Sequence, residues 1–412
     1  LSIGASFRKF FDFSISALNE CFAIQISIMN QGSFVFSQVF DMINRYEFDK
    51  CVNKHNGNYR VKTFSCWEQF MVMSFAQLSY RESLRDIEFC LAGMQNKLYH
   101  CGIKSKIARS TLAKANETRT WKIYADFAQG LIDTTLPLHK GENDLARELK
   151  TIVYAFDSTT IDLCLELFPW AKFRRIKSAI KVHVLLNIDG SIPEFVRITE
   201  GKRQDVNLLD EIKYISGCFY LIDKAYVDFR RFYAIELQKA FFVTRAKENL
   251  AYSVTSINKT DKTKGIKKDE FIKMKWHHGK RKYPIAFRRI EYHEPFSKMK
   301  LTFITNHMTI EATTIARLYK ERWKVELFFK WIKQNLKIKR FYGNSENAVK
   351  TQIWIAICNY LLITILRKQL KINASLNQIL QILSISLFEK CNIKELFIKE
   401  ETNLVSNQTS LF

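Results

Sequence analysis

The spacing of apolar and polar positions changes twice along the chain. From residue 33 to about 135, apolar residues recur at helical intervals, with Phe34, Val35, Phe40, Ile43 and Phe48 in one set. Phe64–Leu78 and Leu84–Leu91 carry stronger helical patterns, and Ser83 and Ser110 are placed to cap helices. At about residue 150 the period shortens. Thr151–Phe156 is an apolar run that stops at Asp157; Ile180–Ile188 and Ile192–Ile198 follow, joined by an Asp189-Gly190 turn signal. Val206–Ile215 reads as a helix, Cys218–Ile222 as a strand stopping at Asp223, Ala225–Leu237 as a helix and Phe241–Thr244 as a strand. Regularity is then lost until 310, with short strand candidates at Tyr283–Phe287, Ile290–Tyr292 and Leu301–Thr305. From Glu311 to about Lys337 the pattern predicts one long helix, and helices continue to residue 395 before a polar tail from Glu400.

Three strands, a helix, a strand, a helix and a strand is the order of an RNase H-like α/β core. The expected organisation is therefore an N-terminal extension (1–28), a helical DNA-binding domain (29–145) and the first part of the core (146–245). A β-rich basic insertion (246–310), a helix completing the core (311–345) and C-terminal helices (346–412) follow. Residues 1–28 mix Phe with Arg8 and Lys9 and are interrupted by Asp12 and Glu20. They read either as an upstream extension before Met29 or as an amphipathic first helix. The apolar stretch Ile353–Leu366 is short for a membrane span and is interrupted by Asn359, so a core helix is expected.

Charge narrows the function. Lys plus Arg number 64 against 41 Asp plus Glu, a net +23, which points to a polyanionic partner, with nucleic acid ahead of an acidic membrane surface. Lys259–Lys282 holds ten Lys/Arg against three Asp/Glu and is expected to be a basic loop. Lys172, Arg174, Arg175, Lys177 and Lys181 form a second cluster, suited to phosphate contacts. Arg109–Arg119 reads as a helix whose basic face either contacts DNA or is simply solvated. The nine cysteines form no Cys-x-x-Cys pair, and His183, His277, His278, His293 and His307 show no ligand spacing. Reduced thiols in the cytoplasm are expected, and zinc is not.

The chemistry is carried by three carboxylates. Asp157 and Asp223 each end an expected strand, and in an RNase H order those strands are neighbours. Such pairs suit hard, oxygen-seeking cations such as Mg²⁺, although Asp at a strand end also begins turns and caps. Tyr319, Arg322, Glu326 and Lys333 fall at offsets of 3, 7 and 14. At about 100° per residue these project within roughly 60° of one another on a helix. Leu318, Val325, Phe329, Ile332 and Leu336 form an adjacent apolar stripe. On this reading Glu326 is the third metal carboxylate, and Tyr319, Arg322 and Lys333 hold phosphate oxygens. A salt-bridged solvent face, with Arg322–Glu326 as one pair, is the alternative.

The Tyr319, Arg322, Glu326, Lys333 spacing resembles the signature of DDE transposases of the insertion-sequence-four group. Asp157-Ser-Thr-Thr resembles that family's first catalytic Asp, and Asp223-Lys-Ala-Tyr226 its second, where Asp-Arg-Gly-Tyr is commoner. The 103-residue interval from Asp223 to Glu326 resembles the group's β-rich insertion. The resemblance covers about residues 30–370. It implies a cut-and-paste transposase in which Asp157, Asp223 and Glu326 bind two Mg²⁺, with Mn²⁺ as a substitute. It further implies cleavage at terminal inverted repeats of double-stranded DNA, strand transfer into target DNA, and a homodimer in the synaptic complex on the bacterial nucleoid. A hairpin intermediate needs a flipped base stacked on an aromatic ring; Trp276 and Trp323 are the candidates, though either position suits a core residue. A simple metal-dependent nuclease, a DNA-binding remnant and a basic peripheral membrane protein are the competing classes. The first lacks the Tyr-Arg-Glu-Lys helix, the second does not need all three carboxylates, and the third needs an amphipathic basic helix that the chain lacks.

Overall fold

The computed structural model describes residues 32–104, 106–174, 177–294, 298–336, 338 and 340–397. The expected extension over 1–28, Arg175 and the tail from Glu400 lie outside the described residues. In chain order the first helices are α1 (Val35–Asp41), α2 (Arg45–Lys54), α3 (Cys66–Leu78), α4 (Leu84–Gly93), α5 (Gln95–His100), α6 (Arg109–Thr118), α7 (Lys122–His139) and α8 (Asp144–Leu149). Strands β1 (Val153–Leu163), β2 (Lys172–Arg174), β3 (Lys177–Asn187), β4 (Ile192–Glu200) and β5 (Phe219–Ile222) follow. Next come α9 (Phe229–Leu237), β6 (Phe241–Arg245), β7 (Tyr252–Ile257), β8 (Ile266–Met274), α10 (His277–Lys282), β9 (Phe287–His293) and β10 (Lys300–Thr305). The chain closes with α11 (Ala312–Glu321), α12 (Trp323–Asn335), α13 (Glu346–Gln369) and α14 (Leu376–Ser386).

Two compact units result. One holds the described residues up to Leu138 together with those from Trp331 onward, and the other is His139–Lys330. The first is helical. Ser65 and Glu68 form a reciprocal capping box that starts α3, and the Ser83 hydroxyl accepts the Asp86 N–H to start α4. Ser110 caps nothing: α6 begins at Arg109, whose N–H is taken by the Glu88 carboxylate at 3.0 Å. The α13 helix is long and apolar enough to cross a membrane by length and composition, yet 94% of its most apolar window is buried in the fold. Two of its buried polar residues, Gln352 and Asn359, find partners within the unit. Asn359 donates to the Gln77 carbonyl oxygen at 2.8 Å, and Gln77 donates to the Gln352 backbone carbonyl at 2.9 Å.

The second unit is built on one ten-stranded mixed sheet. Its order is β2-β3-β1-β5-β6-β10-β9-β8-β7, with β4 also paired to β3. β3 is antiparallel to both β1 and β4, whereas β1, β5 and β6 run parallel. Gly190 and Ser191, both at positive φ, turn β3 into β4. Phe156, Ile222, Phe232, Phe242 and Tyr226 sit at the heart of the core that covers this sheet.

Several elements differ from the sequence reading. Val206–Ile215 is not an α-helix: a 3₁₀ segment covers Asp205–Glu211, and the Tyr220 hydroxyl takes the Ile215 N–H that a helix would have used. A 3₁₀ turn at Lys224–Tyr226 precedes α9, which begins only at Phe229. The expected long helix over 311–337 is interrupted at Arg322, where Arg322 N–H bonds Tyr319 and Val325 N–H bonds Arg322, a tighter three-residue spacing. The Lys259–Lys282 segment is not a loop but contains β8. Its apolar alternation is hidden because charged residues are buried at consecutive positions on opposite faces of the strand: Asp269 pairs with Arg288 and Glu270 with Arg289, across β8 and β9. Tyr283 follows α10 and is not in a strand; β9 starts at Phe287.

Arg288 donates to both Asp269 oxygens, at 2.7 and 2.6 Å, with both side chains about 5% exposed. Breaking one half strands the other charge, so Arg288→Met is expected to destabilise this unit by about 3–5 kcal/mol. The double change Arg288→Met/Asp269→Leu should recover most of that loss. Urea unfolding of the three proteins checks this; equal losses in the single and double variants would contradict it.

Candidate active site

Strand register places the first two carboxylates. Phe156 pairs with Ile222 in the last row of the parallel β1/β5 ladder, so the next residues are Asp157 and Asp223. β1 does not end there. It runs on to Leu163 against β3, with Asp157 opposite Val184, and only β5 stops. Asp223 turns the chain: its carboxylate accepts the Ala225 N–H at 3.0 Å and caps the 3₁₀ segment Lys224–Tyr226. A 3₁₀ turn repeats every three residues, which brings Tyr226 back over Asp223. The Tyr226 ring packs on Phe156 at 5.2 Å, and its hydroxyl lies 3.2 Å from Asp157 Oδ1 and 2.9 Å from Ser158 Oγ. The Ser158 N–H also donates to Asp157 Oδ1, at 2.8 Å. One oxygen of Asp157 is thereby held, and the other, Oδ2, faces Arg322.

Arg322 joins all three carboxylates. Its Nη1 lies 3.4 Å from Asp157 Oδ2, and its Nη2 lies 3.6 Å from Asp223 Oδ2 and 2.6 Å from Glu326 Oε1. The guanidinium side chain is only 12% exposed. The break between α11 and α12 falls on this residue, so Tyr319 and Glu326 sit on separate helical segments around it. Arg322 lies over the Tyr319 ring, 5.6 Å from its centroid, and Tyr319 packs on Phe303. The Tyr319 hydroxyl and Arg322 Nε are buried without a hydrogen-bond partner, two groups able to meet a further acceptor.

Electrostatics load the cluster. Burial pushes the Asp157 carboxyl from the ordinary 3.8 up to about 6, against the pull of the Ser158 amide and Arg322; Asp223 and Glu326 push it further up. Burial works against the Arg322 charge, but Tyr319, Glu326 and Asp223 raise its pKa above the usual value. Burial also pushes the Tyr226 phenol well up, so it remains a proton donor.

Three carboxylates within reach of one cation are the donor chemistry of a hard divalent ion. As they stand they close on the guanidinium, and among the described residues no three His, Cys, Asp or Glu side chains are spaced around a common ion position. The residues fit such an ion by donor type, with Arg322 as the positive group in their midst.

Other candidates are placed differently. Lys333 is on α12, seven residues beyond Glu326, in the part of that helix belonging to the first unit. Lys172 and Lys177 are exposed on the β2–β3 hairpin, where the Arg174 backbone pairs with Lys177. Lys181 is withdrawn from solvent, 2.9 Å from Asp205 and donating to the Arg203 carbonyl, so it is not a phosphate ligand. His183 is buried 3.0 Å from the Thr199 hydroxyl, and burial lowers its pKa to about 4, which keeps it neutral. Trp276 and Trp323 are 66% and 56% exposed, not core residues. The supporting roles of Tyr226 and Ser158 were not apparent in the sequence. The available signal was a Tyr three residues after Asp223, which gains meaning only if the turn is 3₁₀.

Residues 148–362 match a family described as a transposase DDE domain, and residues 31–104 match a domain of unknown function, DUF4372. A protein of Sinorhizobium fredii named as a transposase is 32% identical over 288 residues, covering 68% of this chain and 78% of that protein. One from Geobacillus stearothermophilus, named as a transposase of an insertion sequence element, is 30% identical over 220 residues, 52% of this chain and 56% of that protein. A solved piggyBac transposase synaptic complex with hairpin DNA aligns over 92% of this chain and 81% of that one, at 10% identity and a TM-score of 0.43.

A carboxyl whose pKa is raised by folding costs stability once it ionises. That cost is absent below 3.8, grows as pH rises, and is complete above about 6. Asp157→Asn in metal-free buffer is therefore expected to be more stable than the parent at pH 7.5, by on the order of 1–3 kcal/mol. The advantage should vanish toward pH 4. Thermal unfolding of both proteins across that range checks it, and a difference that does not vary with pH would contradict the loaded-cluster account.

Proposed function

The chain belongs to the transposase DDE domain family, enzymes that cut DNA and join strands, and from that premise we propose that it moves an insertion sequence by cut-and-paste transposition. The observation that carries this reading is the convergence of Asp157, Asp223 and Glu326 on one guanidinium, at the point where the parallel β1/β5 ladder ends. The family implies an RNase H-like core, and the β4-β3-β1-β5-β6 order supports it. The Tyr319, Arg322, Glu326, Lys333 spacing supports placement in the insertion-sequence-four group.

On this reading Asp157, Asp223 and Glu326 hold two divalent ions, Mg²⁺ by preference. When bound, such ions activate the attacking oxygen and stabilise the leaving oxygen of a phosphodiester. The chain's own residues do the rest. Ser158 N–H and the Tyr226 hydroxyl hold Asp157 Oδ1, so that Oδ2 is presented to the site. Arg322 exchanges its carboxylate partners for phosphate oxygens, and the Tyr319 hydroxyl supplies a further hydrogen bond. Lys333, Lys172, Arg174, Arg175 and Lys177 contact the DNA backbone. The exposed Trp323 indole beside Arg322 stacks on an unpaired base during hairpin formation. The substrates are terminal inverted repeats and target DNA, and two copies of the chain bring the two ends together on the nucleoid.

The test is cleavage of a labelled duplex carrying the element's own terminal repeat, with and without Mg²⁺. Cutting at the repeat boundary is expected to require metal and to be lost in Asp157→Ala, Asp223→Ala and Glu326→Ala. Tight binding without cutting in Mg²⁺ or Mn²⁺ would instead indicate an end-binding protein and overturn the assignment. Tyr226→Phe should fold normally but need a higher Mg²⁺ concentration for half-maximal cutting, by roughly 10–100-fold, as loss of a group orienting a ligand does. An unchanged Mg²⁺ dependence would remove Tyr226 from the mechanism.

A further inference from the structure

The turn between β3 and β4 is tied to the connection from α7 to α8. The Asp189 carboxylate accepts the Gly141 N–H at 2.7 Å on one oxygen and the Asn143 N–H at 2.6 Å on the other. Gly190 lies so close to His139 that a Cβ there would meet the His139 Cβ and Cγ at 2.5 Å. Asn143 then faces two ways. Its Oδ1 accepts the Ala146 N–H at 3.0 Å and caps α8, and its Nδ2 donates to Glu321 Oε2 at 2.9 Å. Lys324 lies 2.8 Å from the same Glu321 oxygen and donates to the Ile188 carbonyl at 3.3 Å. Ile188 directly precedes Asp189, so the contacts return to their start. Asp189, Asn143, Glu321 and Lys324 thereby close a ring.

This ring spans the helix break. Glu321 is the last residue of α11 and Lys324 the second of α12, with Arg322 and Trp323 between them. Arg322 N–H to Tyr319 and Val325 N–H to Arg322 are three-residue hydrogen bonds. That spacing has poorer geometry than an α-helix and rarely persists unaided, so support from outside the helix matters. The exposed pair Glu148–Arg317 also joins α8 to α11, at 2.9 Å, but both side chains are about half exposed and contribute little. The ring is drawn further from solvent, and it is anchored on backbone groups at Gly141, Asn143 and Ile188.

We propose that this ring is a positioning device, which fixes the α11/α12 break so that Arg322 and Glu326 are held against Asp157 and Asp223. Its members act through Arg322, which Glu321 and Lys324 flank in the chain, and not on the phosphodiester. The inference rests on the transposase reading for its effect on cutting. One guanidinium answers the repulsion of three carboxylates, so the cluster depends on where that group sits. A misplacement of about 1 Å in a reacting constellation costs on the order of a hundredfold in rate.

The experiment compares the full chain with Asn143→Ser, Glu321→Ala, Glu321→Gln and Glu148→Gln, each also made together with Arg322→Lys. Serine keeps a cap for α8 but is too short to reach Glu321. Glutamine keeps an oxygen for both donors, and Glu148→Gln removes only the exposed pair. Hydrogen exchange over residues 319–326 is measured by mass spectrometry without DNA or metal. Single-turnover cutting of the terminal-repeat duplex in saturating Mg²⁺ and duplex affinity are measured separately. Asn143→Ser and Glu321→Ala are expected to speed exchange by about tenfold or more. They should slow cutting by roughly 10–100-fold with duplex affinity unchanged. Glu321→Gln should stay much closer to the parent in both readouts, and Glu148→Gln should match it. With Arg322→Lys present, the ring changes should slow cutting no further, because the group they position is already lost. Parental exchange in Asn143→Ser and Glu321→Ala, or rate losses that add in full to that of Arg322→Lys, would overturn the ring and leave the transposase reading intact. Weaker duplex affinity at an unchanged cutting rate would assign these residues to DNA contact and overturn it as well. A parent that binds but never cuts would overturn the transposase reading; faster exchange in the two variants would then still uphold the ring, and parental exchange would overturn both.

Discussion

Three carboxylates drawn together inside a partly buried site repel one another, and the fold has to answer that repulsion. Arg322 is the answer this chain uses. Its guanidinium reaches Asp157 on β1, Asp223 after β5 and Glu326 on α12, three elements that are far apart in sequence. A lysine could approach one or two of them; only a planar group with several donors bridges all three. The break between α11 and α12 at the same residue lets the side chain enter the cluster while Tyr319 stays stacked beside it. Burial that raises the Asp157 pKa also prepares that group to gain from any cation that replaces the guanidinium.

Support for the site comes from ordinary backbone chemistry. One parallel ladder stops a residue before two Asp, and a 3₁₀ turn returns a Tyr to the first of them. The same economy runs through the insertion. Strands β10, β9, β8 and β7 extend the core sheet beyond β6 instead of forming a separate body, and buried Arg–carboxylate pairs hold the β8/β9 register. A one-residue slip would strand those charges, so register is specified by charge where apolar alternation is weak.

Much of this was legible in the chain. The apolar runs that stop at Asp157 and Asp223, the spacing around Glu326 and the change of period near residue 150 all follow from local periodicity, because side-chain direction in strands and helices repeats at fixed intervals. Asn359 in an apolar helix read correctly as a sign of a core helix, since a polar residue there needs a partner, which proved to be Gln77. What escaped was set by partners distant in sequence. β8 was hidden because Asp269 and Glu270 are buried against Arg288 and Arg289. Lys181 counted as one more surface cation until Asp205 claimed it. Trp276 and Trp323 suited a core by composition and lie in solvent.

Periodicity, charge excess and motif spacing thus belong to the sequence, because each depends on neighbours within a few residues. The bridging of three carboxylates by Arg322, the grip of Tyr226 and Ser158 on one oxygen of Asp157, and the pairing of Lys181 with Asp205 belong to the tertiary structure. Each depends on which atoms meet within hydrogen-bonding distance, and that is decided only when strands, turns and helices pack together.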